Sequence, residues 1–141
     1  MTSTTKAAAP CLALLLVCLG HAASAQVSFI PNCVEPISQA EINMCARVEH
    51  EAADKEMTAV YDQVITQFRE QDRSYADLGP EYVGAEMLLS SSQQTWSASR
   101  SDFCSAGGLA NYGGSMRPAV VATCFAMLAR SRTEELRWLL E

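Results

Sequence analysis

Glycine and proline are scarce in this 141-residue chain, at seven and five residues, which excludes a collagen-like fibre and argues against a disordered polymer. Histidine is scarcer still, with only His21 and His50. No Cys-x-x-Cys or His-x-x-x-His pair occurs, so no metal site and no cofactor is expected. The Gly-x-Ser-x-Gly elbow, the His-Glu-x-x-His zinc motif and the phosphate-binding Gly-Lys-Ser/Thr are also missing, which removes the common hydrolase and nucleotide-binding classes. Apolar residues make up 49% of the chain and charged ones 18%, enough for one compact core and too little chain for a multidomain enzyme.

Residues 1–25 follow a plan of their own. Lys6 stands in a short polar start, an apolar run covers Cys11 to Leu19, and small residues end it at Ala23-Ser24-Ala25. This pattern predicts a secretory signal peptide cleaved after Ala25, leaving a domain of residues 26–141 in the periplasm or medium. The apolar run is too short for a stable membrane span. Val17 before Cys18 and Pro10 before Cys11 are not the small residue that a lipidated cysteine requires. With Lys6 gone, nine bases face sixteen acids and the net charge becomes −7. Such a surface repels nucleic acid and anionic lipid and speeds encounter with a basic protein.

Cys11 and Cys18 leave with the leader, so Cys33, Cys45, Cys104 and Cys124 remain. An even count in a small exported domain predicts two disulfides, each worth about 2–4 kcal/mol through restriction of the unfolded chain. The pairing Cys33–Cys45 with Cys104–Cys124 is favoured because each ring is short. A crossed pairing, with Cys45 near Cys104, stays open if the first two helices are antiparallel.

Helix signals dominate the rest, and no strand alternation competes with them. Ser38 and Glu41 have capping-box spacing, and Ile42, Cys45, Ala53, Met57, Val60, Tyr61, Val64 and Phe68 share one face, predicting a first helix over about 39–70. Gly79-Pro80-Glu81 predicts the start of a second. Along it, Tyr82, Leu89, Trp96 and Phe103 repeat every seven residues with Ala85, Ser92 and Ser99 between them, a large-small pattern suited to close packing. The segment from Ser105 to Ser115 holds two Gly-Gly pairs and is expected to be a loop. A third helix begins near Met116, with Pro118 in its first turn, and continues through Val121, Cys124, Phe125, Leu128, Arg132, Leu136 and Leu139. The fold class predicted is all-α, a small three-helix bundle with two disulfides.

Three constellations bear on function. Glu49, His50, Glu51 and Asp54 could do acid–base work on wall fragments, although such a helical turn is ordinarily a solvated face, and no catalytic residue is assigned. Trp96 and Arg100, one turn apart, could stack, with Arg100 bridging to Asp54 or Asp102; the bland reading is a core tryptophan beside a structural ion pair. Tyr112, Gly113, Gly114, Ser115 and Arg117 form the third group. Tyr and Arg are favoured at the energetic centres of interfaces, and glycines let a partner's backbone approach. The competing reading is a plain chain reversal.

These residues together resemble the LprI-type lysozyme inhibitor family. The resemblance begins at Cys33, continues through Gln39 to Ala46, and takes in Asp54, Met57 and Tyr61. It resumes in the run Gln93, Trp96, Arg100 and Cys104, and closes with Gly113-Gly114-Ser115, Cys124, Leu128, Arg132 and Leu136. Thr58 and Ala129 depart from the family's usual Asn and Thr. The resemblance implies a small helical domain, with Asp54, Tyr61, Gln93, Trp96, Arg100 and Arg132 as its structural motif. It also implies an exported non-enzyme that binds lysozyme, or another basic protein, and protects peptidoglycan. The segment 105–117 is the candidate for insertion into the lysozyme cleft, where Arg117 would meet two carboxylates. The alternative is a periplasmic structural or interaction module with a different protein partner.

Overall fold

The computed structural model describes residues 30–111 and 113–141; the predicted leader and Tyr112 lie outside them. Three helices form, α1 (Gln39–Tyr75), α2 (Ala85–Leu109) and α3 (Arg117–Trp138), with no strand among the described residues. Helix α1 starts as its sequence requires. The Ser38 hydroxyl accepts the Glu41 N–H at 3.2 Å, and the Glu41 carboxylate accepts the N–H groups of Ser38 and Ile37 at 3.1 and 2.8 Å. A cap of this kind stabilises the helix by about 1 kcal/mol.

The helix runs to Tyr75, past the expected end near Glu70. The apolar periodicity stops at Phe68, but tertiary contacts hold the extra turn. The Asp72 carboxylate accepts the N–H groups of Gly84, Ala85 and Glu86 at 3.0, 3.1 and 3.0 Å, and Arg69 pairs with Glu86 at 2.8 Å. Helix α1 thereby supplies the N-terminal cap that Gly84, lacking a side chain, does not. The expected start of the second helix at Pro80 is corrected: Pro80–Tyr82 is a single 3₁₀ turn and α2 begins at Ala85.

The far end of α2 also departs from expectation. The first Gly-Gly pair does not break the helix, which continues through Gly107 and Gly108 to Leu109. Gly108 is buried against α3, where an added Cβ would stand 2.4 Å from Val121 Cγ2. The missing side chain lets the two helices close, and that contact offsets the roughly 1 kcal/mol propensity cost of a helical glycine. The neighbouring Gly107 faces open space. Opposite signs are therefore expected: Gly107→Ala raises stability by about 0.5–1 kcal/mol, whereas Gly108→Ala lowers it by about 1 kcal/mol despite the better helix former. Chemical denaturation of the two variants checks this, and equal shifts would contradict the close approach.

The helices run up, down and up. Asp54 meets Arg100 and Asp72 meets Gly84, so α1 and α2 are antiparallel; Cys104 is bonded to Cys124 while Gln93 meets Arg132, so α2 and α3 are antiparallel as well. The core gathers Ala53, Met57, Val60, Val64 and Ile65 from α1, Leu89 from α2, and Ala126, Ala129 and Leu136 from α3, with Tyr61, Phe68, Trp96 and Leu139 packed around it. On α3 the most buried line is Ala119, Ala122, Ala126, Ala129, Thr133 and Leu136, at steps of three and four residues. Its alanines let the backbone approach α1, and the larger Val121, Cys124, Phe125 and Leu128 flank that line half-buried. The buried Thr133 hydroxyl donates to the Ala129 carbonyl at 2.9 Å, so it carries no unmet polar group.

The seven-residue repeat read along α2 holds only in its centre. Leu89 is buried and Trp96 half-buried, but Tyr82 lies outside the helix and Phe103 is 63% exposed. A strict seven-residue step drifts by about 20° per repeat around a straight helix. By the third repeat Arg100 and Cys104 have taken over the contact line. Both favoured disulfides form, Cys33–Cys45 clipping the lead-in to α1 and Cys104–Cys124 joining α2 to α3.

Candidate functional site

The motif residues converge between the helices. Arg100 on α2 is nine-tenths buried, with its guanidinium 4.7 Å from the Trp96 ring centre and 4.9 Å from that of Phe125 on α3. Its two terminal nitrogens donate to the two Asp54 carboxylate oxygens at 2.6 and 3.1 Å, a fork-to-fork pair. Of the two acids considered for Arg100, Asp54 is the partner. The remaining nitrogen, Nε, is buried without a hydrogen bond. Burial alone would raise the Asp54 carboxyl, but the Arg100 guanidinium, with a smaller contribution from His50, holds it below the ordinary aspartate value.

Gln93 and Arg132 continue the same layer. Arg132 Nε donates to the Gln93 side-chain oxygen at 3.0 Å, its terminal nitrogens reach Ser92 at 3.1 Å and Glu135 at 2.8 Å, and its guanidinium lies 5.7 Å from Trp96. Gln93 in turn donates to the Met57 sulfur at 3.2 Å. Tyr61 borders the cleft beside Met57, Gln93, Trp96 and Arg100. Asp54, Tyr61, Gln93, Trp96, Arg100 and Arg132 thus converge as one half-buried assembly, with two guanidinium groups close to Trp96. It fixes the register of all three helices.

The acid–base cluster on α1 is dispersed into pairs. Glu49 pairs with Arg130 on α3, Glu51 lies 3.8 Å from Arg47, and His50 shares a 3.1 Å hydrogen bond with Asp54. Each acid of the cluster thus faces a cation.

The glycine segment is shorter and more tightly held than expected. Its first five residues, Ser105 to Leu109, belong to α2, so the connection is only residues 110–116. Asn111 donates from its side chain to the Gly107 carbonyl at 3.2 Å, Gly114 to Asn111 at 3.1 Å, and Arg117 to Gly114 at 3.2 Å. Gly113 has φ 79°, a left-handed turn that favours glycine. The Asn43 side chain on α1 donates to the Ser115 carbonyl at 3.1 Å and anchors the turn. Gly113, Gly114 and Ser115 are exposed, whereas Arg117 is the first residue of α3 and partly buried.

Beneath this turn lies a feature absent from the sequence reading. Helices α1 and α3 leave a groove of about 540 Å³ lined by Ala40, Met44, Pro118, Val121, Ala122 and Phe125, with Asn43, Arg47, His50 and Arg117 along it. His50 stacks on Phe125 with ring centres 4.9 Å apart, so these two rings separate the groove from the Arg100 assembly. The lining residues come from two helices more than sixty positions apart, and of them only His50 and Arg117 were considered individually for function.

Comparison with known proteins bears on the whole scaffold. The family described as lysozyme inhibitor LprI matches residues 33–136. The chain belongs to the LprI family. The match begins at the first clip cysteine and ends at Leu136, the last fully buried residue of α3. An uncharacterized protein of Rhizobium meliloti (strain 1021) is 38% identical over 136 residues, covering 96% of both chains. No solved structure matches significantly. The LprI family is one of inhibitors and not of enzymes. Membership in it, together with two disulfides, marks an extracytoplasmic protein, and no helix among the described residues is long and apolar enough to cross a membrane.

Proposed function

We propose that this chain is exported, with residues 1–25 removed after Ala25, and that residues 26–141 bind a lysozyme and inhibit it, sparing peptidoglycan. Membership in the LprI family carries the reading. The excess of sixteen acids over ten bases supports it, because lysozymes are often basic and a negative surface steers them in. The docking surface is the end of the bundle that carries Tyr112, Gly113, Gly114, Ser115 and Arg117. Short hydrogen-bonded turns and the Asn43 anchor hold its described residues, so little ordering entropy is lost on binding. Arg117 and the adjacent Arg47 are the cations available there to carboxylates of a lysozyme cleft.

A turbidity assay tests this. The purified protein at micromolar concentration is expected to slow lysis of a cell-wall suspension by lysozyme, less so as salt rises. Arg117→Glu is expected to weaken inhibition by roughly tenfold or more, as loss of a central interface arginine does. Absence of slowing with lysozymes of several types would reject the function and favour an envelope interaction module with another partner. Unaltered inhibition by Arg117→Glu would reject the docking surface alone.

A further inference from the structure

The groove between α1 and α3 pairs an apolar lining with two arginines. We propose that it binds a single-chain aliphatic carboxylate, a medium- or long-chain fatty acid, with the chain along Met44, Pro118, Val121 and Phe125 and the carboxylate at Arg117. Its volume of about 540 Å³ lies within the roughly 300–1,000 Å³ of small-molecule sites. The lining is apolar apart from Asn43, two arginines and His50, and Asn43 already donates to Ser115 while His50 is bonded to Asp54. A peptide laid here would bring N–H and C=O groups with few partners, at a cost an alkyl chain does not incur.

Charge selects the headgroup. Arg117 is partly buried and, among the described residues, has no carboxylate within ion-pair distance, whereas Arg69, Arg100, Arg130, Arg132 and Arg137 each have a close one. Arg47 is only loosely matched, 3.8 Å from Glu51, while one terminal nitrogen lies against the Met44 sulfur. In a chain with excess negative charge, two under-compensated guanidinium groups along one apolar groove are complementary to an anion with a hydrocarbon body. The site shares Arg117 and Arg47 with the proposed lysozyme-docking surface but does not rest on that reading, and it is tested without lysozyme.

The fluorescent probe dansylaminoundecanoate is titrated into the purified protein, then displaced. Saturable emission at one probe per chain is expected, with displacement by laurate. Dodecan-1-ol, equal in chain length and uncharged, should displace at least about tenfold more weakly, and octanoate more weakly than laurate, since each buried methylene is worth roughly fourfold in affinity. Arg117→Gln should weaken binding about tenfold and Arg117→Lys recover most of it, while Arg130→Gln, altered at the Glu49 pair, leaves it unchanged. Circular dichroism establishes that each variant keeps its helices. Absence of saturable emission, equal displacement by dodecan-1-ol, or a folded Arg117→Gln that binds like the parent would overturn the proposal.

Discussion

Asp54→Ala is expected to lower the unfolding free energy by about 3 kcal/mol, seen as a lower urea midpoint with an unchanged slope. The cost comes from what the substitution leaves behind. Arg100 would keep its charge in a slot nine-tenths buried between Trp96 and Phe125, with Nε already unpartnered and both terminal nitrogens newly so. Arg100→Met should cost less. Asp54 is one-third exposed and retains His50, and the thioether fills the aromatic slot. The double variant is then expected to be more stable than Asp54→Ala alone, because no buried charge remains. If the double variant were as unstable as the two single losses added, the ion pair would not be the unit of stabilisation.

Acid titration gives a second reading of the same pair. The folded carboxyl of Asp54 lies below its unfolded value of about 3.9, so its contribution is fully present above that value. It is lost as the pH falls through the folded pKa, when protonation removes the charge that Arg100 requires. The stability difference between parent and Asp54→Ala should therefore shrink as the pH falls below about 4. Desolvation would raise the Asp72 carboxyl, but the Glu86, Gly84 and Ala85 N–H groups together hold it below its ordinary value, so its protonation loosens the start of α2 over the same acid range. The Asp54 comparison isolates the first effect, since Asp72 is present in both proteins.

Beyond the three-helix fold class and the Cys104–Cys124 link between α2 and α3, the readings that survived from the sequence were local ones. Ser38 and Glu41 lie three residues apart, so the capping box that starts α1 was visible in the chain itself. Trp96 and Arg100 were legible as a pair for the same reason, but the choice of Asp54 over Asp102 needed the antiparallel packing of α1 and α2. What failed was decided across helices. Asp72 caps a helix that begins thirteen residues later, and a propensity argument places no cap at Gly84. Gly107-Gly108 reads as a helix breaker until Val121 is seen to need the missing side chain. The groove was invisible because Met44 and Phe125 are ordinary core-type residues in their own helices, and only the packing of α1 against α3 sets them along one space.

The two disulfides should prove unequal. Replacing Cys104 and Cys124 by alanine is expected to cost about 3 kcal/mol in global stability, and replacing Cys33 and Cys45 by serine less than about 1 kcal/mol. Ring size does not produce this difference: separations of 20 and 12 residues change the logarithmic loop term by only about half a kcal/mol. The folded state does. Val34 and Ile37 are 91% and 92% exposed inside the first ring, so opening it uncovers almost no apolar surface and frees only the lead-in. Cys104 is fully buried, one turn before the Gly107-Gly108 stretch whose helical propensity is poor. Without the bond to Cys124, that last turn of α2 is held against α3 mainly by the Gly108–Val121 contact, and the turn beyond it by the Asn43 anchor. Thermal melts and proteolysis across residues 105–116 distinguish the outcomes. Equal destabilisation by both double variants would mean that the lead-in is as much a part of the cooperative unit as the helices.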